Sequence, residues 1–263
     1  MIVKKKLFIF DIEGVLVNHM DDPKPLSYSI DLINYLREKD KIIVLLTNIG
    51  RKSSNWVFKK LTEIGFKLNY DEVFTAGRVL AEMLKDSERK CFILGEEGLI
   101  EELISKGINI VKDEKADTVI LGACRNINYW DLNFAMNLLL KNAEFFCVGG
   151  SLRFKGKLYG YEGEFLGEGA LAEALSLATG KKVNYIGKPY KDIFLHVLKR
   201  YDVKKEDCIM VGDSLDSDIL GAFNIGIDSV WVSHGRNLPE KYYGKIKVIV
   251  KDLEELYNLI QKS

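Results

Sequence analysis

Apolar residues in this chain gather in short unbroken runs. "LFIF" from Leu7, "KIIVLL" from Lys41, "KCFILG" from Lys90 and "DTVILGAC" from Asp117 are of this kind. So are "EFFCVGG" from Glu144, "VNYIGKP" from Val183, "DCIMVGD" from Asp207 and "DSVWVSHG" from Asp228. Continuous rather than alternating runs suit parallel strands covered on both faces. Helical patterns lie between them, as near Ser27–Lys39 and Ser53–Ile64. The alternation predicts an α/β fold with mainly parallel sheets. The irregular stretch Gly149–Gly169, "GGSLRFKGKLYGYEGEFLGEG", predicts a hairpin or long loop instead.

Composition narrows the class. At 263 residues the chain can bury one large core or two smaller ones. Lys+Arg and Asp+Glu both number 38, so the net charge is zero, which argues against a broad nucleic-acid footprint. The apolar start "MIVKKKLFIF" stops at Asp11, too soon for a signal peptide, and nowhere do 18 apolar residues run together. A cytoplasmic protein without membrane partners is expected. Cys91, Cys124, Cys147 and Cys208 have no C-x-x-C spacing and sit in or beside apolar runs, so buried free thiols are expected.

Chemistry gathers where the strands end. Asp11 and Glu13 follow "LFIF"; on an extended strand, residues i and i+2 share a face, which would set the two carboxylates side by side. Thr47 and Asn48 follow the second run, Lys188 precedes Pro189 in "YIGKP", and Asp213, Asp216 and Asp218 follow Gly212. Ligands of open parallel sheets bind beyond the carboxyl ends of the strands. Taken together, these ends predict a basin of carboxylates, one hydroxyl and one ammonium. Such a donor set suits Mg²⁺ and a transferring phosphoryl group. Singly, each element also has a plain reading: a turn, a loop start, or aspartates that cap a helix.

Those four segments carry a family resemblance. "FDIEGVL", "LLTN", "IGKP" and "MVGDSLDSDILGA" resemble, in order, the four motifs of the haloacid dehalogenase (HAD) superfamily. Nearly the whole chain resembles its 4-nitrophenylphosphatase/NagD-like group, with "FILGEEGLIEEL" and "GEGALAEALSLATGKK" similar to segments of that group's type II cap. The resemblance implies a Rossmann-like core at 1–77 and 185–263, with an inserted α/β cap at 78–184. It further implies an aspartyl-phosphate mechanism. Asp11 would be the nucleophile and Glu13 the acid–base. Thr47, the Asn48 amide and Lys188 would hold the phosphate. Asp11, the Glu13 backbone carbonyl and Asp213 would ligate Mg²⁺, with Asp218 in support.

Two departures stand out. Most relatives carry aspartate at the position of Glu13, which adds a methylene of roughly 1.5 Å, although HAD enolase-phosphatases also begin "DIEG". Relatives usually follow the third cap strand with Thr-Asn-Pro-Asp, where this chain has "VGGS", Val148–Ser151. Arg153, Lys155 and Lys157 come next, as an exposed basic hairpin or as contacts for an anionic substrate. "GEGALA" from Gly167 fits a dinucleotide fingerprint but follows no clean βαβ strand. His19, His196 and His234 are scattered; His196 reads as a packing or surface residue, and His234 as a neighbour of the basin. The expected function is a Mg²⁺-dependent phosphatase of small phosphomonoesters. The alternative is a catalytically weak HAD-fold protein that binds a phosphorylated metabolite or a protein partner. A homodimer is left open. Hydrolytic dehalogenation would leave the metal-binding aspartates and Lys188 unexplained.

Overall fold

The computed structural model describes residues 2–262. Its strands are Leu7–Phe10 (β1), Ile42–Thr47 (β2), Val73–Thr75 (β3), Lys90–Leu94 (β4), Asn109–Ile110 (β5) and Thr118–Leu121 (β6). Glu144–Val148 (β7), Arg153–Leu158 (β8), Tyr161–Leu166 (β9), Asn184–Ile186 (β10), Cys208–Gly212 (β11), Asp228–Val232 (β12) and Val248–Val250 (β13) follow. The α-helices are Ser29–Glu38 (α1), Ser54–Glu63 (α2), Ala76–Leu84 (α3), Glu97–Ser105 (α4) and Tyr129–Leu140 (α5). Glu168–Thr179 (α6), Lys191–Tyr201 (α7), Leu220–Ile225 (α8) and Leu253–Gln261 (α9) complete them.

The chain divides into two compact units. The first comprises the chain up to Thr47, then Asn55–Phe74, then everything from Lys188 onward; the second is Asn48–Ser54 with Thr75–Gly187. In the first unit, six strands lie in the order β13-β12-β11-β1-β2-β3. Every residue of β1 and β11 is buried, as their unbroken apolar runs require. The chain runs outward from β1 through β2 to β3, while β11 takes the other flank. The strand order therefore reverses between β1 and β11, which makes a crevice beyond their carboxyl ends.

The second unit holds a five-stranded sheet in the order β10-β7-β6-β4-β5, all of its pairs parallel. Its core packs Val119, Leu121, Phe145 and Cys147 of the sheet against Leu138 and Leu139 of α5 and Ala172 of α6. The glycine-rich stretch forms the antiparallel hairpin β8–β9. "GEGALA" opens α6 directly after this hairpin. The Gly167 and Gly169 amides donate to the Leu152 and Ser151 carbonyls, so the segment leading into the hairpin takes two of the N–H groups that a dinucleotide fingerprint would offer a phosphate. Cys91, Cys147 and Cys208 are buried free thiols, and Cys124 is half-buried. Among the described residues, no helix is long and apolar enough to cross a membrane.

Candidate active site

Register brings the first residues together. Phe10 pairs with Leu45 on one side and Val211 on the other, so β1, β2 and β11 end at nearly the same height. Asp11 follows β1, buried Thr47 ends β2, and Asp213 follows β11. Lys188 arrives differently. "VNYIGKP" does form a strand, but β10 pairs with β7 of the second sheet, because Tyr185 packs into that unit's apolar core. Lys188 therefore lies on a connection rather than at an end of the first sheet.

Lys188 is 3% exposed. Its Nζ lies 2.6 Å from Asp11 Oδ1 and 2.8 Å from Asp218 Oδ1, and donates to the Leu46 carbonyl at 2.8 Å. Asp218 is fully buried and takes a further bond from the Ser214 amide at 3.1 Å. Asp213 accepts at its carbonyl from Trp231 Nε1 (3.0 Å) and Arg236 Nη2 (2.7 Å), and Arg236 also reaches its Oδ2 at 3.2 Å. Asp11, Asp213 and Asp218 each offer an oxygen within 4.8 Å of the others.

Charge is poorly balanced in so small a space. Burial pushes the Asp11 carboxyl up to about 7, and the Asp218 charge adds to this against the pull of Lys188. Burial also raises Asp213, reinforced by Asp218 and opposed by Arg236 and His234. For Lys188 burial acts downward, but the charges of Asp11 and Asp218 outweigh it and hold the ammonium above its usual value. Three converging carboxylates are hard oxygen donors, and this set fits a divalent cation that keeps part of its shell for water or substrate.

Glu13 and Asp216 behave otherwise than the pattern suggested. The strand stops at Phe10, so the extended geometry that would align residues i and i+2 does not reach the pair. Asp11 turns to Lys188, while Glu13 Oε1 accepts from the Met20 amide at 2.7 Å. The like charge that acts on Asp11 is that of Asp218 rather than Glu13. Asp216 leaves the basin. Leu215–Ile219 winds as a single π-helical turn, which sends Asp218 inward and Asp216 out to the Tyr242 hydroxyl and Lys241. Asn48 follows Thr47 in the chain but groups with the second unit, where Gly187 is its neighbour.

The same arrangement of sequence is found in known proteins. A haloacid dehalogenase-like hydrolase family model matches residues 8–109, and a HAD-hydrolase-like model matches 185–256. An acid sugar phosphatase of Staphylococcus haemolyticus is 29% identical over 88% of this chain and 86% of its own length. Among solved structures, a p-nitrophenyl phosphatase from Archaeoglobus fulgidus gives a TM-score of 0.88 at 25% identity, covering 97% of this chain and 99% of its own. A 4-nitrophenylphosphatase from Thermotoga maritima is 30% identical, with a TM-score of 0.86 and 99% of each chain covered. This chain belongs to the haloacid dehalogenase-like hydrolases.

Within that family it falls in the NagD/4-nitrophenylphosphatase group. For a HAD protein of this group, the "VGGS" segment has a local cause. Glu168 Oε1 accepts from the amides of Gly150 (2.7 Å) and Ser151 (2.8 Å). Gly149 has φ +106°, and a Cβ there would stand 2.3 Å from that same carboxylate oxygen. Glycine is what lets Glu168 hold the turn. The basic hairpin is also accounted for. Lys155 and Lys157 lie opposite Glu164 and Glu162, and Arg153 Nε is 3.0 Å from Glu164. Arg153 is thus paired within the hairpin, and the two acids facing the stripe offset part of its charge.

His196 packs its ring 6.2 Å from Phe74, and exposed His19 bonds the Asp22 amide. His234 does adjoin the basin, with Nε2 2.7 Å from the Gly14 carbonyl. The residues missed were Arg236 and Trp231. Their only signal was position, within and just beyond the strand-end run "VWVSHG".

Proposed function

We propose that this HAD protein is a Mg²⁺-dependent phosphatase of small phosphomonoesters that works through an aspartyl-phosphate on Asp11. The observation that carries the reading is the contact of Lys188 with both Asp11 and Asp218, beside Asp213. A buried ammonium between two acids serves a site that must accept a third anion, the phosphoryl group. Asp11, the Glu13 backbone carbonyl and Asp213 would hold the metal, with Asp218 fixing Lys188 beside it. When bound, Mg²⁺ would offset charge on the phosphoryl oxygens.

In the first half-reaction an Asp11 oxygen attacks phosphorus, and the bond from phosphorus to the ester oxygen breaks. Glu13 gives its proton to that departing oxygen, with the Met20 amide orienting the carboxyl. In the second, Glu13 takes a proton from water, whose oxygen attacks phosphorus. The phosphorus–Asp11 bond breaks, and inorganic phosphate leaves. Lys188 lowers the cost of bringing an anion to the Asp11 carboxylate, and the Thr47 hydroxyl and Asn48 amide hold the phosphoryl oxygens.

The first unit is read as the catalytic core and the second as a cap that selects substrate, in a cytoplasmic protein. The relatives' names, a sugar phosphatase and aryl phosphatases, support small phosphomonoesters as the substrate class. The test is a phosphate-release screen over sugar phosphates, nucleotides and 4-nitrophenyl phosphate, with Mg²⁺ or with a chelator. Metal-dependent turnover supports the reading. Retained ligand binding with no turnover of any compound would establish a binding protein instead.

A further inference from the structure

The loop that leaves β12 is tied to both of the acid-bearing loops. Its base is anchored by backbone bonds: Ser233 N donates to the Val250 carbonyl (2.8 Å) and His234 N to the Lys251 carbonyl (2.9 Å). The chain then reverses through His234 (φ 51°) and Gly235 (φ 78°), closed by a bond from Arg236 N to the Ser233 carbonyl at 2.9 Å. These bonds already complete the turn. Two side chains nevertheless reach back over the sheet edge.

His234 Nε2 meets the Gly14 carbonyl at 2.7 Å, one residue beyond Glu13. A carbonyl only accepts, so this nitrogen carries the hydrogen. Arg236 Nη2 binds the Asp213 carbonyl (2.7 Å) and reaches its Oδ2 (3.2 Å), while Nε holds the Ser233 carbonyl at 2.9 Å. Its guanidinium also lies 5.7 Å from the ring of Trp231, whose Nε1 donates to the same Asp213 carbonyl. Left-handed backbone is unfavourable at a non-glycine residue, and here that conformation carries the His234 side chain to Gly14.

We propose that His234 and Arg236 are positioning residues: one strap sets the spacing between the Asp11–Gly14 loop and Asp213, and so holds the donor oxygens ready for the divalent cation. The proposal rests on the metal reading given under the proposed function.

Charge and position predict opposite signs. Arg236 is a cation beside a carboxylate that receives another cation, so as a charge alone it opposes metal binding, and its removal would tighten it. As a clamp it aids binding, and its removal loosens it. Partners that orient metal ligands are typically worth about 10- to 100-fold in affinity.

The experiment is calorimetric titration of metal-free protein with Mg²⁺ for the wild type, Arg236→Gln, Arg236→Lys and His234→Ala. Thermal unfolding identifies the folded variants, and the indole N–H resonance of Trp231 reports the Asp213 contact. We expect Mg²⁺ to move that resonance in the wild type. Arg236→Gln should weaken Mg²⁺ binding at least tenfold despite losing a positive charge. Lysine should fail to rescue it, since one ammonium does not reproduce the planar fork, and His234→Ala should weaken it in the same direction. Wild-type or tighter affinity in Arg236→Gln, or full rescue by lysine, overturns the strap while the metal site stands. If Arg236→Gln does not fold, unchanged affinity in His234→Ala overturns it. A wild type that binds no Mg²⁺ overturns the metal reading, and the strap's positioning role with it.

Discussion

Lys188 Nζ stands 2.6 Å from Asp11 Oδ1, yet this contact does not bring Asp11 to the ordinary carboxylate range. Burial and the charge of Asp218 outweigh it and leave Asp11 near 7. The local charge balance thus favours a proton on Asp11 well above the usual carboxylate range.

That balance has a pH signature. The folded-state value of Asp11 lies above the ordinary 3.8, so the native protein binds this proton more tightly than the unfolded chain. The stabilisation is complete below about pH 4 and is lost as pH rises through about 7. Metal-free Asp11→Asn should therefore be more stable than wild type at pH 8, with the gap closing toward pH 4. Urea unfolding across that range checks it; a gap that widens toward acid would contradict the charge balance.

Lys188→Met leaves Asp11 and Asp218 buried without their shared cation. Breaking a buried ion pair from one side typically costs about 3–5 kcal/mol. The loss should be greatest at pH 8 and smaller at pH 5, where Asp11 holds its proton. An equal loss at both pH values would mean that packing of the lysine stem, rather than charge, is responsible.

Gly14 combines φ +79° with a hypothetical Cβ only 3.0 Å from the Asp213 carboxyl carbon. Gly14→Ala should cost on the order of 1–3 kcal/mol through backbone strain and displace Asp213. Mg²⁺ affinity should fall with it. A variant of wild-type stability and Mg²⁺ affinity would show that the loop yields freely.

Glu13→Gln should keep metal binding, because the proposed ligand there is a backbone carbonyl. It should lose acid–base help worth roughly 10²–10⁴-fold. Alkyl phosphates should suffer most, since 4-nitrophenolate leaves with little protonation. Breakdown of the phosphoenzyme should slow as well. Wild-type rates on both substrate types in steady-state assays would remove Glu13 from the chemistry.

The unbroken apolar runs were enough to establish alternating helices and buried parallel strands. Double burial demands continuous hydrophobicity, and that is a local property of sequence. Asp11, Lys188 and Asp213, which the fold brings close together, could be picked out for a related reason, since each lies just beyond the end of such a run. Sheet membership was not legible: "VNYIGKP" looks like any other strand, and only the packing of Tyr185 assigns β10 to the second sheet. The strand-end pattern alone did not separate Asp216 from Asp218; only the family resemblance singled out Asp218, and a single π-helical turn is what sends one inward and the other out. Arg236 was hidden for a deeper reason. Its contact with Asp213 spans 23 positions, and no local pattern encodes where a long flexible cation will end. Strand edges and chemical types follow from local sequence, whereas the pairing of one charge with another depends on which distant segments the folded sheet brings to the same edge.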